Sequence, residues 1–322
     1  MRIFLIGTSS KFTWQALQAI TDKHTLAGIA ESGKGIEISP YHSGLSRLTA
    51  RVRFMTGIPI LWEFARQNQI PYFFLTRQKL PAFEDFLGEI KPDLVVVASM
   101  NQLIPDRFLK LAPLGFINVH PSLLPKYRGP NAWFWQIYAM ETESGITIHQ
   151  IDPGEDTGDI LAQQSFPVLR GIDGEEFLQK SIALIKPILA ETLDLLSAGL
   201  LSPRPQRNLP CPLRARRLEA GDQIFLWQEW SLERTYHFLR GAYPWYDILT
   251  RQYGLGGYLE WRAVGFEKHA GGKHPGKIHL DRHGFYFAHP DGKIRIRPRL
   301  VTWRALVLAA LLLAILNLLI SR

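Results

Sequence analysis

Three polar residues at the ends of two predicted strands have the types that acyl transfer requires. Asn118 and His120 lie one residue apart in "INVHP", and Asp156 follows in the acidic turn "DPGEDTG". Because side chains alternate along a strand, Asn118 and His120 share a face, and Pro121 ends the strand because it lacks an N–H. An amide and an imidazole can hold a developing oxyanion, while a carboxylate orients the imidazole or takes an amine's proton through water. These residue types predict acyl transfer to an amine.

Neighbouring side chains allow other interpretations. Ser122 follows His120 closely, but it is not in the strained strand-to-helix turn that a serine nucleophile uses, so a covalent serine mechanism is disfavoured. His149 is in the middle of the alternating segment "ITIHQI", where we expect a structural role. Lys126 and Arg128 are either a solvated loop tip or contacts to a phosphate of the acceptor. No metal is expected at this site.

The elements that would position these residues form an alternating pattern over the first 200 residues. Apolar runs such as "RIFLIG", "IPYFFL" and "DLVVVAS" are typical of buried strands, and amphipathic helical segments such as "FTWQALQAIT" separate them. This alternation predicts an α/β fold with a Rossmann-like, doubly wound, mostly parallel sheet, whose ligands bind at the carboxyl ends of the strands. The turn "GTSSKF" lacks the later glycines of a dinucleotide fingerprint, so NAD binding is not expected.

The chain is predicted to have four regions. A catalytic domain over residues 1–200 ends in a long helix from Gly174 to Ala198, and a linker rich in proline and arginine covers residues 201–218. Residues 219–299 contain the helical segment "SLERTYHFLRGA" and short strands between glycine-containing turns, which indicate a small β-barrel-like module. Residues 300–322 form an apolar C-terminal helix.

This C-terminal segment is long enough to interact with a membrane. From Ala305 to Ile320 every residue except Asn317 is apolar. These residues would span about 24 Å as a helix, and the residues from Val301 extend the segment to about the twenty that cross a bilayer. A transmembrane tail over residues 301–322 is therefore predicted, with a buried core helix as the alternative. The arginines before the tail predict that the catalytic domain is cytoplasmic.

The charge of the chain suggests an anionic partner. Its 322 residues carry a net charge of +8, which suits a nucleic acid, a phosphorylated ligand or an acidic membrane. Cys211 is the single cysteine, so a disulfide framework is excluded. The segment from Ser32 to Arg53 is expected to be a loop, with a modest phosphate-binding set of Lys34, Arg47, Arg51 and Arg53.

The segment "NVHPSLLPKYRG", followed by "DPGEDTGDILAQ", resembles the 10-formyltetrahydrofolate-dependent formyltransferases over roughly residues 1–200. The resemblance implies that 10-formyltetrahydrofolate is the co-substrate, that Asn118 and His120 stabilise the oxyanion, and that Asp156 keeps His120 charged. It also implies an apolar slot for the pterin ring of the folate, lined by Leu103, Ile104, Pro105, Asp152, Gly154 and Glu155. The implied contacts to the acceptor are Ser122, Lys126 and Arg128.

The sequence leaves two predictions for the identity of the amine that accepts the formyl group. The segment "IFLWQEWSLERTYHFLRGAYPW" is similar to the start of the C-terminal domain of methionyl-tRNA formyltransferases, with a β-module that is truncated and OB-like. Methionyl-tRNA is therefore one predicted acceptor, and a nucleotide- or lipid-linked amino sugar is the other. A non-catalytic, folate-binding membrane protein and a formyltetrahydrofolate hydrolase are further alternatives. No protein partner is implied.

Overall fold

The computed structural model describes residues 1–33, 41, 43–55, 57–100, 102–206, 214–219, 221–249, 259–269 and 274–300. The chain divides into two compact units. The first comprises Met1–Trp135, Glu143–Pro167 and Leu178–Arg217, and the second comprises Gln136–Thr142, Val168–Phe177 and Leu218–Arg322. The predicted membrane tail, residues 301–322, lies outside the described residues. Among the helices that are described, none is long and apolar enough to cross a bilayer.

A seven-stranded sheet forms the centre of the first unit. Its strands are β1 (Arg2–Gly7), β2 (Thr25–Ser32), β3 (Tyr72–Leu75), β4 (Leu94–Ala98), β5 (Phe116–His120), β6 (Glu143–Gln150) and β7 (Ile160–Pro167). They lie in the order β3-β2-β1-β4-β5-β6-β7, and the first five are parallel while β6 and β7 are antiparallel to their neighbours. The predicted Rossmann-like, mostly parallel α/β sheet is confirmed.

Alternation along the central strands builds an apolar layer on each face of this sheet. In β1, Ile3 and Leu5 pack into one buried cluster, and Phe4 and Ile6 pack into the other. All four side chains are fully buried. From Ile3 onward β1 is buried and carries no polar side chain, which is typical of a strand in a parallel sheet that is covered on both faces.

The helices differ from the sequence expectation in two places. They are α1 (Lys11–Lys23), α2 (Gly44–Met55), α3 (Leu61–Gln67), α4 (Leu80–Ile90), α5 (Ala132–Tyr138), α6 (Gly174–Ala183), α7 (Ile185–Ser197) and α8 (Leu232–Gly241). The single helix predicted from Gly174 to Ala198 is wrong, because Pro187 has no N–H to donate to the carbonyl of Ala183 and the helix breaks between them. The loop predicted through Arg53 is also wrong, because its second half is α2.

The second unit contains an antiparallel sheet. Its strands are β8 (Leu259–Lys268), β9 (Ile278–Asp281), β10 (Gly284–His289) and β11 (Gly292–Leu300), in the order β8-β11-β10-β9. Within residues 259–269 and 274–300, β8 and β9 are the edges of an open sheet, so the barrel-like closure stays a prediction. Ser231 caps the start of helix α8, because its hydroxyl accepts a hydrogen bond from the Arg234 N–H at 3.2 Å.

The core of the first unit generates a prediction about stability. Phe4 is fully buried on β1 and contacts Phe83 and Phe86, with ring centroids 5.9 and 6.1 Å away. Replacing Phe4 by Ala should lower the free energy of unfolding of this unit by about 3–5 kcal/mol, because it leaves a cavity. Hydrogen exchange at the amides of β1 and β4 measures this change. Leu114→Ala, at a position that is 42% exposed, is the control and should change the same free energy by less than about 0.5 kcal/mol. Equal effects of the two substitutions would contradict the assigned core.

Candidate active site

The pairing of β5 with β6 places polar side chains opposite one another. Asn118 lies opposite His149, and His120 lies opposite Thr147. The chain leaves β6 through Ile151, whose N–H donates to the Phe116 carbonyl at 2.8 Å. The turn after Ile151 brings Asp156 back to the Asn118 side chain on β5. The backbone of Asp156 has a φ of +53° in this turn.

The Asp156 carboxylate is the centre of the resulting cluster. Its Oδ2 accepts the Gly129 N–H at 2.8 Å and lies 3.4 Å from His120 Nδ1. Its Oδ1 lies 3.3 Å from Asn118 Nδ2 and 3.5 Å from His149 Nε2. The structure thus brings Asn118, His120 and Asp156 together, although they are separated by up to 38 positions in the chain.

His120 is held through both of its ring nitrogens. Its Nε2 lies 2.9 Å from the Tyr127 carbonyl, and because a carbonyl oxygen only accepts, Nε2 carries a proton. Its Nδ1 faces Asp156. Burial lowers the pKa of His120 below its ordinary value, and the Asp156 carboxylate counteracts part of this shift. Direct contact with a substrate oxygen requires that His120 exchange or share one of these two contacts.

Asp156 is an anion at neutral pH. Burial by itself would raise the pKa of Asp156, but the neighbouring His120, the contacts with His149 and the Gly129 N–H together hold it well below its usual range. A carboxylate that stays ionised while it is mostly buried provides a fixed negative charge beside the imidazole. This charge favours the protonated form of His120 at the moment when a proton moves.

His149 belongs to the cluster, which the sequence reasoning missed. Its Nδ1 donates to the Gln150 carbonyl at 2.7 Å, and its Nε2 lies 3.1 Å from Asn118 Nδ2 and 3.5 Å from Asp156 Oδ1. His149 therefore orients the amide of Asn118. The alternating pattern of "ITIHQI" predicts a strand, but only the register of β6 against β5 shows which residue lies opposite His149.

The loop that carries Asp156 is fixed from behind by Gln206. The Gln206 Nε2 donates to the carbonyls of Asp156 and Gly158 at 2.9 and 2.7 Å. The Gln206 Oε1 accepts two hydrogen bonds from the Arg128 guanidinium, at 2.7 and 3.1 Å. Arg128 was predicted to contact the acceptor, and in the structure its guanidinium supports the Asp156 loop through Gln206.

Gly129 has φ +113°, and a Cβ there would collide with Ala215, so a glycine is required.

The other two predicted contacts to the acceptor, Ser122 and Lys126, are in the loop after β5, which also contains Arg128. Ser122 is fully buried, and its hydroxyl donates to the Lys126 carbonyl at 2.7 Å, which closes the turn after β5. The side chain of Lys126 is exposed. Contact of either residue with an acceptor stays a prediction.

With this geometry established, comparison with known proteins identifies the family. Residues 3–192 match the family model described as "Formyl transferase". The chain belongs to the formyl transferase family. It is a formyl-transferring enzyme, and the family uses 10-formyltetrahydrofolate as the co-substrate.

Two relatives agree with this assignment, and a solved structure shares the fold. The chain is 35% identical over 250 residues to the methionyl-tRNA formyltransferase of Pelobacter propionicus, which covers 76% of this chain and 72% of the relative. It is 31% identical over 253 residues to that of Geotalea daltonii, with 78% and 75% covered. The fold is similar to that of an N-formyltransferase from Helicobacter canadensis in complex with folinic acid and dTDP-3-aminofucose. That match has a TM-score of 0.65 and 16% identity and covers 93% of this chain and 100% of the other.

The residues expected to bind folate in this formyl transferase lie in two segments. Leu103 is 69% exposed, whereas Ile104 and Pro105 are half-buried, and Ile104 packs with Met100 and Ile151 on the core. Met100 and Ile104 follow the carboxyl end of β4, and these apolar side chains add to the buried cluster that contains Phe4 and Ile6.

The acidic turn supplies the second segment of the predicted folate site. The Asp152 Oδ1 accepts the Gly154 N–H at 3.1 Å and the Thr157 hydroxyl at 2.6 Å, so Asp152 shapes the turn. Glu155 forms an ion pair with Arg214. Within the described residues, no group of three or more His, Cys, Asp or Glu side chains is arranged to hold a metal ion.

The cluster predicts the effect of removing His120. His120→Ala should lower kcat/KM for formyl transfer by about 10²-fold or more, which is the scale of losing an oxyanion-stabilising or acid–base group. Steady-state kinetics measure the loss. The matched control is His283→Ala in the exposed turn between β9 and β10, which should leave kcat/KM unchanged. Unchanged turnover in His120→Ala would remove this residue from the mechanism.

The contact between His120 and Asp156 predicts a pH effect. The Asp156 carboxylate stabilises the imidazolium, so Asp156→Asn should move the pKa of His120 further below its ordinary value. The charged form of His120 should then be lost at a lower pH than in the unchanged protein. An NMR titration of the His120 ring in both proteins measures the shift, and a pKa that is equal or higher in Asp156→Asn is the contradicting result.

Proposed function

We propose that this chain transfers the formyl group of 10-formyltetrahydrofolate to the amine of methionyl-tRNA. The observation that carries the formyl-transfer chemistry is the convergence of Asn118, His120 and Asp156 at one point of the sheet edge. Methionyl-tRNA as the acceptor is supported by relatives of that name that are 31–35% identical over about three quarters of the chain.

In the proposed reaction, the amine nitrogen attacks the formyl carbon and a carbon–nitrogen bond forms. The oxyanion accepts hydrogen bonds from the Asn118 amide and from the His120 ring, and each of these groups exchanges one of its present contacts to make them. The bond from the formyl carbon to N10 of the folate then breaks. The proton that leaves the attacking amine is relayed through water to N10, so no proton is gained or lost overall. Asp156 orients this water and stays ionised, and its charge supports the protonated form of His120.

The predicted folate site is part of this proposal. The pterin ring would lie on the apolar surface formed around Ile104, with Leu103 and Pro105 beside it. Backbone groups of Asp152, Gly154 and Glu155 would provide the paired donors and acceptors that a pterin edge needs. The half-buried apolar side chains next to a turn with its own internal hydrogen bonds support this placement.

An amino sugar is the second candidate acceptor, and the charge distribution favours it. Arg295 is paired with Glu267 and Asp281, and Lys293 is paired with Asp281, so these cations of the second sheet are neutralised by neighbouring carboxylates. Neutralised cations contribute less to phosphate binding than free ones. A nucleotide- or lipid-linked amino sugar needs fewer phosphate contacts than a tRNA.

Membrane anchoring is a separate part of the proposal. We propose that residues 301–322 form a membrane tail and that the catalytic domain is on the cytoplasmic side. The apolar segment from Ala305 to Ile320 and the arginines that precede it support this.

The acceptor can be identified by following tetrahydrofolate release from 10-formyltetrahydrofolate. The additions are methionyl-tRNA, the same tRNA without methionine, a panel of nucleotide-linked amino sugars, and buffer alone. We expect release with methionyl-tRNA and none with the uncharged tRNA, because the reacting amine is on the methionine. Release only with an amino sugar would establish the second candidate. Equal release in buffer would indicate a hydrolase, and no release under any condition would indicate a non-catalytic folate-binding protein.

A further inference from the structure

Helix α2 has an apolar face that is exposed to solvent. Leu48, Val52 and Met55 are 57%, 53% and 83% exposed. They recur at spacings of four and three residues, so they lie in one stripe along the helix. Ile58, just beyond the helix, is 40% exposed and extends the apolar surface. Exposed large apolar side chains that cluster in this way indicate an interaction surface, whereas single ones are ordinary.

The opposite face of the same helix holds it to the protein. Ala50 is 3% exposed and belongs to a small buried cluster with Tyr41 and Ile60, and Phe54 packs against this cluster. At about 100° per residue, Ala50 and Phe54 are on the side of the helix away from Val52. The helix is therefore fixed by one apolar face and presents a second one outward.

The charges of α2 are all of one sign. Arg47, Arg51 and Arg53 are exposed, and the sequence from Gly44 to Met55 contains no Asp or Glu. The Arg47 Nε donates to the Tyr41 carbonyl at 2.9 Å, and the Arg51 Nε lies 3.7 Å from Glu63. At about 100° per residue, Arg51 and Arg53 lie on the two sides of the apolar stripe, whereas Arg47 is on the attached face near Phe54. An apolar stripe between basic side chains is the pattern of a helix that lies in the interface of an anionic membrane.

Helix α2 is connected to the edge of the sheet that carries the active site. It follows the carboxyl end of β2, which is parallel to β5, so this is the edge at which β5 ends in His120. Buried Glu31 at the end of β2 accepts the Ser9 hydroxyl at 2.6 Å and the Tyr41 hydroxyl at 3.2 Å. The Leu61 N–H, at the start of α3, donates to the Ser9 hydroxyl at 3.0 Å. These contacts fix the segment on both sides of α2.

We infer that α2 docks this edge of the sheet onto an anionic lipid surface, with Leu48, Val52 and Met55 among the acyl chains and the two arginines that flank them at the headgroups. A nucleic acid would pair with the arginines but leave the apolar stripe in water. A stable protein interface buries about 800 Å² on each partner, which is more than one short stripe supplies. The inference does not depend on the identity of the acceptor, and it concerns a surface other than the tail.

A probe on α2 of the full-length chain tests this docking. Val52→Cys in a Cys211→Ser background is labelled with an environment-sensitive fluorophore and mixed with vesicles of phosphatidylcholine alone or with one quarter phosphatidylglycerol. We expect a blue shift with the anionic vesicles only, because insertion needs both the apolar stripe and the charge. The matched control is Glu191→Cys, on the exposed side of α7, which should not respond. The local probe separates α2 from any binding by residues 301–322.

Salt provides a second measurement that needs no further substitution. Each arginine near an anionic surface contributes about a fivefold increase in affinity. Raising the salt from about 0.05 to 0.5 M should therefore weaken the response by tenfold or more as the charges are screened.

Four results would overturn the inference. These are an equal response of Val52→Cys and Glu191→Cys, an equal response to neutral vesicles, a blue shift caused by tRNA without vesicles, and a shift that grows with protein concentration without vesicles. The third would assign α2 to nucleic acid and the fourth to a second copy of the chain.

Discussion

The negative charge of Asp156 is the constraint on which the site depends. A mostly buried carboxylate is costly unless its oxygens are paired, and here the Gly129 N–H, two imidazoles and an amide surround it. The same contacts keep it ionised, so it provides a permanent anion beside His120. The imidazolium that forms during proton transfer is then stabilised without reorganisation of the site.

Several features of the fold serve this one group. The reversal of direction between β5 and β6 places Asn118 opposite His149, which a continued parallel sheet would not do. Gly129 brings its N–H to the carboxylate through a backbone conformation with positive φ, and Gln206 holds the Asp156 loop from the other side. The apolar strands β1 and β4 contribute indirectly, because their buried side chains form the core beside which β5 is held.

The sequence predicts much of the fold and the members of the site, but not their mutual arrangement. The apolar runs of β1 and β4 and the position of Pro121 after β5 indicate the sheet and its edge, since burial and the missing N–H act locally. The role of His149 depends on strand register, which is a long-range property. Helix α2 was missed because the glycine, serine and proline residues that precede it are typical of a loop. The break before α7 was missed because the helical pattern continues on both sides of Pro187, although this proline cannot donate a backbone hydrogen bond.

The most direct test of the central claim is the fate of a carbon-13 label in the formyl group of 10-formyltetrahydrofolate during a single turnover, followed by NMR. If Asn118, His120 and Asp156 transfer the formyl group to an amine, the label should appear as a formamide on the acceptor, with no free formate. Label that appears as formate while the acceptor is unchanged would contradict the account, because the attacking nucleophile would then be water.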